Sequence, residues 1–253
     1  MDKKELGIKT YSSSNENKNR SDLNDLFENS PIPRDQFLSN IGLFLESKNL
    51  SRILLMDFLF QKIVDIPGNI MEFGTRWGQN LVLFSALRGI YDPYNRHRKL
   101  IGFDTFKGFP QLTEKDGQSD LMFKGNLTVT KDYSEYLSKI MKIHENLNPL
   151  SHIEKFEIHQ GDATKKVPEY FKDHPEALVS LAYFDFDLYH PTKECLEIIK
   201  KRLPKGAVVA FDELNDSDSP GETQALLEVF EINKIKLKRY RHASRVAYFI
   251  VGE

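Results

Sequence analysis

Asn69-Ile70-Met71-Glu72-Phe73-Gly74-Thr75-Arg76-Trp77-Gly78 is the stretch whose reading decides the fold. Its first half is a short apolar run bounded by Pro67-Gly68 before it and Gly74 after it, the pattern of a buried strand. Beyond Gly78 the chain takes up helical spacing. A strand therefore runs into a glycine turn and straight on into a helix. Gly74 and Gly78 let the backbone turn tightly and come close to a ligand. The spacing is not the Gly-x-Gly-x-x-Gly of a dinucleotide site, and a plain strand-to-helix turn is the competing reading. Trp77, the single tryptophan, is expected in the core.

Working outward, the same alternation repeats. Strands are expected at Asn69–Phe73, Lys99–Phe103, Lys155–His159, Val179–Phe184 and Ala207–Phe211. Helical stretches near 79–89, 133–146, 164–172, 192–202 and 221–232 separate or follow them. Alternation with short apolar strands implies βαβ units and a parallel sheet. Lys236–Tyr240 and Arg245–Val251 lie too close together for a helical crossover, so the chain should end in an antiparallel hairpin, giving seven strands. Its basic residues, Lys236 to Arg245, suit a solvated strand edge better than a phosphate site. Upstream, residues 1–30 are polar, with a Ser/Asn/Lys run, and read as a flexible tail or a lid. Residues 31–66 read as a helical cap. Phe37, Ile41, Phe44 and Leu45 recur at helical spacing, and Ser51 is placed to cap a second helix carrying Ile53, Leu54, Leu55, Phe58, Leu59 and Ile63. That helix is apolar almost all round, which predicts burial, between subunits in a homodimer or larger assembly. Residues 67–253 form the ligand-binding domain.

Composition removes several classes. Lys and Arg total 35 against 37 Asp and Glu, without the basic excess of a nucleic-acid binder. One cysteine, Cys195, precludes an internal disulfide framework and suits a reducing compartment. No apolar run reaches the roughly 18 residues of a membrane span, and no apolar signal core opens the chain. A cytoplasmic protein with a small-molecule ligand, and neither nucleic acid nor membrane as partner, is expected.

In such a sheet, ligands bind over the carboxyl ends of the strands near the point where strand order reverses. Four strand ends carry marked residues. The first is the Glu72–Gly78 turn. The second is Asp104, whose carboxylate can accept both hydroxyls of a ribose, in Phe103-Asp104-Thr105-Phe106-Lys107-Gly108-Phe109-Pro110, where an aromatic ring can stack on a purine. Helix capping is its competing role. The third is Gly161-Asp162-Ala163, where Asp162 either accepts an adenine amino group or caps the helix starting near Thr164. The fourth pairs Asp185 and Asp187, in Ala182-Tyr183-Phe184-Asp185-Phe186-Asp187-Leu188-Tyr189, with Asp212-Glu213 after the next strand. Acids brought together at adjacent strand ends repel unless protonated or neutralised, and an all-oxygen set suits Mg²⁺ or Ca²⁺. Capping acids and lysine-paired acids are the alternative.

Taken in order, these motifs resemble the macrocin and mycinamicin sugar O-methyltransferases. The likeness runs from about Gly68 to Phe230. It covers Glu-Phe-Gly, Phe-Asp-Thr-Phe-Lys-Gly-Phe-Pro, Gly-Asp-Ala, Asp-Phe-Asp-Leu-Tyr-His-Pro-Thr, Lys205 to Glu213, and Pro220-Gly221-Glu222. The resemblance implies an α/β, Rossmann-like class I methyltransferase fold that binds S-adenosyl-L-methionine (SAM). The cofactor site would use Glu72, Gly74, Thr75, Arg76, Gly78, Asp104, Thr105, Phe106, Asp162, Ala163 and Asp185. It implies Mg²⁺ on Asp185, Asp212 and Glu213, since Asp185 and Asp212 match the family spacing. It also implies an oligomer. The sequence departs in three places. The family's Asp-Asp pair is Asp212-Glu213, Gln79 follows Gly78 in place of a glycine, and residues 105–135 hold no histidine to match the family's catalytic one. His190 is the histidine nearest the acids in sequence, so Asp185, Glu213 and His190 form the catalytic expectation.

The acceptor implied is a hydroxyl of a sugar, sugar nucleotide or glycosylated metabolite. A divalent cation on a hydroxyl lowers its pKa, which an amine acceptor would not need. A metal-independent N-methyltransferase and a non-catalytic nucleotide-binding protein of the same fold are the alternatives. A nicotinamide oxidoreductase fits worse, because Asp104 lies 30 residues beyond Gly74 where that pattern expects about 20.

Overall fold

The computed structural model describes residues 11–253. Five strands, β1 (Asn69–Phe73), β2 (Leu100–Asp104), β3 (Phe156–Gln160), β4 (Val179–Phe184) and β5 (Val208–Phe211), run parallel. The short β6 (Lys238–Arg239) and β7 (Ala247–Ile250) close one edge antiparallel, in the order β3-β2-β1-β4-β5-β7-β6. The expected class I methyltransferase fold is present, with β1 and β4 at their expected bounds and the hairpin strands shorter than expected. Strand order reverses between β1 and β4, so the ligand crevice opens over their carboxyl ends.

Both faces of the sheet are covered, which is why its central strands read as unbroken apolar runs. Ile70, Leu100, Leu181, Tyr183 and Val208 face one core, under α3 (Ser47–Ile63), α4 (Gln79–Tyr91) and α5 (Tyr133–Leu147). Met71, Phe73, Ile101, Phe103, Phe184 and Phe211 face the other, under α6 (Ala163–Asp173), α7 (Tyr189–Ile199) and α8 (Gly221–Val229). Four phenylalanines at the strand ends lie in register and stack side by side across β2, β1, β4 and β5. Phe73 lies 4.4 Å from Phe184 and 5.5 Å from Phe103, and Phe184 lies 5.3 Å from Phe211, between ring centroids. They hold four strand ends level, so that Gly74, Asp104, Asp185 and Asp212 emerge over one apolar floor.

The N-terminal region departs from expectation. Polar composition predicts a flexible tail or a lid over residues 1–30, and α1 (Ser14–Glu28) within it is helical; residues 1–10 lie outside the described residues. A capping box starts α1. The Ser13 hydroxyl accepts from the Glu16 amide at 3.3 Å, and the Ser13 amide donates to the Glu16 carboxylate at 2.7 Å. The apolar residues around 37–45 form a four-residue helix, α2 (Arg34–Phe37), followed by a 3-10 stretch over Leu38–Phe44. Ser51 caps nothing: α3 starts a turn earlier, and the Ser51 hydroxyl donates to the His242 carbonyl at 2.8 Å. α3 buries Leu55, Met56, Leu59, Phe60 and Ile63 in the chain's own core and leaves Leu50 and Leu54 exposed.

Candidate functional site

A cavity of about 370 Å³ opens over the ends of β1, β2, β3, β4 and β5. The turn after β1 forms its floor. Gly74 has φ +100, and a Cβ there would sit 2.0 Å from the Asp185 carbonyl oxygen. Only glycine lets the ends of β1 and β4 touch in this way. Arg76 follows in the left-handed region (φ 45), and its amide donates to Asp104 Oδ2 at 2.7 Å. The amide of Phe106, also left-handed (φ 55), donates to Asp104 Oδ1 at 2.6 Å. Asp104 is thus held by backbone amides from two loops. Burial pushes its carboxyl above the ordinary value, against those amides and the Arg76 charge. Each carboxylate oxygen keeps a second lone pair for a ligand hydroxyl.

The expected cofactor residues divide. Gly74, Thr75, Arg76, Gly78, Asp104, Thr105, Asp162, Ala163 and Asp185 all line the cavity. Asp162 also caps α6, accepting from the Thr164 amide at 3.0 Å, so its two expected roles are compatible. Two residues lie elsewhere. Glu72 is 1% exposed beneath the turn, where burial pushes its carboxyl up to about 8. Phe106 packs into the core with Val129 and Leu137, and Phe109 supplies the aromatic wall in its place. Trp77 is the reverse case. Expected in the core, it is 38% exposed at the cavity edge, packed edge-on against Tyr133.

Over β4 and β5 the lining becomes acidic. Asp185, Asp187 and Glu213 each place a carboxylate oxygen within 4.8 Å of the others. Burial raises all three above the ordinary carboxylate range, Asp187 to about 6, and repulsion from Asp212 and from one another adds to it. Glu213 shares Oε1 with Arg245 at 3.2 Å, while its buried Oε2 has no partner among the described residues. Asp212, expected as a third metal ligand, is engaged differently. Arg52 of α3 grips it with two bonds, Nη1 to Oδ1 at 2.5 Å and Nη2 to Oδ2 at 2.9 Å, and the Tyr183 hydroxyl donates to Oδ1 as well. Burial pushes the Asp212 carboxyl up, but Arg52 outweighs it and holds the group at about 2. Asp187 takes the place expected for Asp212 in the cluster. His190 is exposed on the first turn of α7, outside the cavity lining.

Sequence reasoning missed Arg52, Lys48 and Arg245 as cavity residues. A signal existed for Arg52. It is a lone charge in Leu50-Ser51-Arg52-Ile53-Leu54, and a charge in an apolar helix needs a partner. The loop after β2 also contributes, through Phe109, Pro110, Leu121 and Leu127. It is fastened across the mouth, where Ser119 donates to the Asp218 carbonyl at 2.8 Å and Asp116 accepts from the Tyr189 amide at 2.5 Å. The Tyr11 hydroxyl reaches the Asp218 side chain, next to Ser219 in the cavity wall.

The family model of the macrocin O-methyltransferases (TylF) matches residues 55–235. This chain belongs to the macrocin O-methyltransferase family. CalS11, a calicheamicin methyltransferase, shares 38% identity over 100% of this chain and 99% of its own, with a TM-score of 0.93. Its apo structure, described as a TDP-rhamnose 3'-O-methyltransferase, aligns with 36% identity over 96% of this chain and 97% of that one, TM-score 0.85. NovP, an O-methyltransferase at 18% identity and TM-score 0.61 over 81% of each chain, shares the fold. No curated protein sequence matches the chain significantly. As a member of the macrocin O-methyltransferase family, the chain is a SAM-dependent methyltransferase. Among its described residues no helix is long and apolar enough to cross a membrane.

Proposed function

We propose that the enzyme transfers the SAM methyl group to a hydroxyl of a sugar carried on a nucleotide or on a glycosylated metabolite, with a divalent cation beside that hydroxyl. The observation that carries this reading is the trio Asp185, Asp187 and Glu213, two half-buried carboxylates and one buried, within 4.8 Å of one another with one unpartnered oxygen. Acids packed so closely favour a cation between them, and all-oxygen donors suit Mg²⁺. The relatives support the acceptor class, since CalS11 is described as acting on TDP-rhamnose.

The residues fit both groups. On the cofactor side, Arg76 Nε is buried without a partner among the described residues, beside the glycine turn that admits a ligand against the backbone. We assign Gly74, Thr75, Arg76, Gly78, Asp104, Thr105, Asp162 and Ala163 to SAM, with Asp104 accepting from the ribose. When bound, SAM supplies a sulfonium methyl open to in-line attack. We assign Asp185, Asp187 and Glu213 to the cation, with Asp212 contributing through its fixed pair with Arg52. When bound, Mg²⁺ lowers the pKa of a hydroxyl placed against it. Glu213 Oε2 is our choice for the atom that receives the hydroxyl proton, because His190 lies outside the cavity. The walls Phe109, Leu121 and Leu127 exclude water from the transfer. The contact from Tyr11 to Asp218 supports a lid role over this mouth for residues 11–30, the described part of the N-terminal segment.

The test is a panel of nucleotide sugars and glycosides with SAM and Mg²⁺, read by release of S-adenosylhomocysteine (SAH). Turnover of a sugar hydroxyl supports the reading. Turnover confined to amine acceptors replaces it with N-methylation. We further propose self-association as a homodimer or larger through residues 34–65, supported by exposed Leu38, Leu43, Leu50 and Leu54. A monomer by light scattering at micromolar concentration contradicts that.

A further inference from the structure

Glu222 is 0% exposed, lies in the first turn of α8 and does not line the cavity, yet both of its oxygens are engaged at the acidic cluster. Oε1 accepts from the Phe186 amide at 3.0 Å, and Oε2 accepts from the Glu213 amide at 3.3 Å. Phe186 stands between Asp185 and Asp187, and Glu213 follows Asp212. One carboxylate thus ties the loop after β4 to the loop after β5. We propose that Glu222 is a positioning residue for methyl transfer, setting the separation of the Asp185–Asp187 loop from Glu213 through their backbone amides.

The residue type supports this. A fifth acid, fully buried, beside Asp185, Asp187, Asp212 and Glu213 adds repulsion, and packing alone would be met by a neutral side chain. A carboxylate is the side chain that offers two acceptor oxygens of fixed bite and no donor. An amide of equal size would turn its NH₂ toward one of the two N–H groups. The first turn of a helix also favours a negative charge. The neighbour of Glu222 shows how closely α8 is seated: a Cβ on Gly221 would lie 2.4 Å from the Tyr189 amide nitrogen and 2.8 Å from the Asp187 carbonyl oxygen. The start of α8 is therefore pressed onto the same loop that Glu222 holds.

The inference rests on reading the cluster as the cation and hydroxyl site, and its test keeps the two apart. Wild-type protein saturated with SAH is titrated with Mg²⁺ by calorimetry; binding supports the cluster reading, and no binding overturns it. The Glu222→Gln variant is then compared on four readouts: SAH affinity, Mg²⁺ affinity, amide exchange at Phe186 and Glu213, and kcat against the SAM KM. Removing a group that holds metal ligands in place costs about 10- to 100-fold in metal affinity or activity. We expect a loss of that size in Mg²⁺ affinity and kcat, faster exchange at both amides, and unchanged SAH affinity and SAM KM. Unchanged Mg²⁺ affinity and kcat overturn the proposal. So does a loss of SAH affinity in step with them, which marks a general folding role. If wild-type protein binds no Mg²⁺, the split between kcat and SAM KM and the exchange at the two amides decide for or against Glu222 alone. Glu222→Asp, which shortens the reach to both amides, repeats the comparison if the Gln variant does not fold.

Discussion

Asp104 and Asp185 both follow a phenylalanine at the end of a parallel strand, and both line the cavity, but their surroundings differ. Asp104 is held by two backbone amides, from Arg76 and Phe106, and no other carboxylate competes for them. Asp185 sits among Asp187, Asp212, Glu213 and Glu222, and burial and their repulsion raise its carboxyl well above the ordinary value against the opposing pull of Arg52. The first arrangement is complete as it stands and leaves lone pairs for a neutral ligand's hydroxyls. The second gathers more negative charge than Arg52 and Arg245 offset, and an added cation would relieve it. This contrast is why we assign one half of the cavity to the nucleoside of SAM and propose a cation, with the group that reacts beside it, for the other.

The comparison is broken most severely by Glu213→Gln. Loss of a proton acceptor or cation ligand should lower turnover about 10²-fold or more, with SAM affinity within twofold of wild type by calorimetry. Retained Mg²⁺ binding with lost turnover identifies Glu213 as the base. Lost Mg²⁺ binding identifies it as a ligand. Asp104→Ala is the mirror experiment. It should cost about 1.5 to 3 kcal/mol of SAM affinity and leave Mg²⁺ affinity unchanged.

Arg52→Met tests the counter-charge. It leaves the Asp212 carboxylate buried without its bidentate partner, at a cost of about 1 to 3 kcal/mol by chemical unfolding. The pH dependence has a definite sign. Asp212 is held at about 2 in the fold, below the unfolded value of about 3.9. Its pairing stabilises the protein above that unfolded value and is lost as pH falls toward the folded one. In Arg52→Met that acid-labile contribution should be missing from the unfolding profile. His190→Ala should do least, leaving turnover within twofold, since the imidazole lies outside the cavity.

The parts legible in the sequence are those set by local pattern. The Asn69–Phe73 and Val179–Phe184 strands, the glycine turn and the acids at strand ends all follow from spacing within a few residues. The parts that were not legible depend on partners far apart in the chain. The bidentate partner of Asp212, Arg52, stands 160 residues earlier, so their pairing leaves no local trace in the sequence. Phe106, left-handed at φ 55, lies in the core, whereas Trp77 sits at the cavity edge against Tyr133, and neither placement has a marker in local spacing. The helix Ser14–Glu28 buries no residue, so no hydrophobic period announces it, and only the Ser13 to Glu16 capping box carried a signal.

The central claim is that the acidic half of the cavity acts on the acceptor while the β1 to β3 half holds SAM. The most direct measurement is SAH release from SAM and a nucleotide-sugar acceptor that turns over, before and after chelation with EDTA, alongside calorimetric SAM affinity in the same samples. The account predicts that chelation abolishes turnover, that Mg²⁺ restores it, and that SAM affinity stays nearly the same throughout. Full turnover in EDTA, or SAM affinity that falls together with turnover, would contradict it.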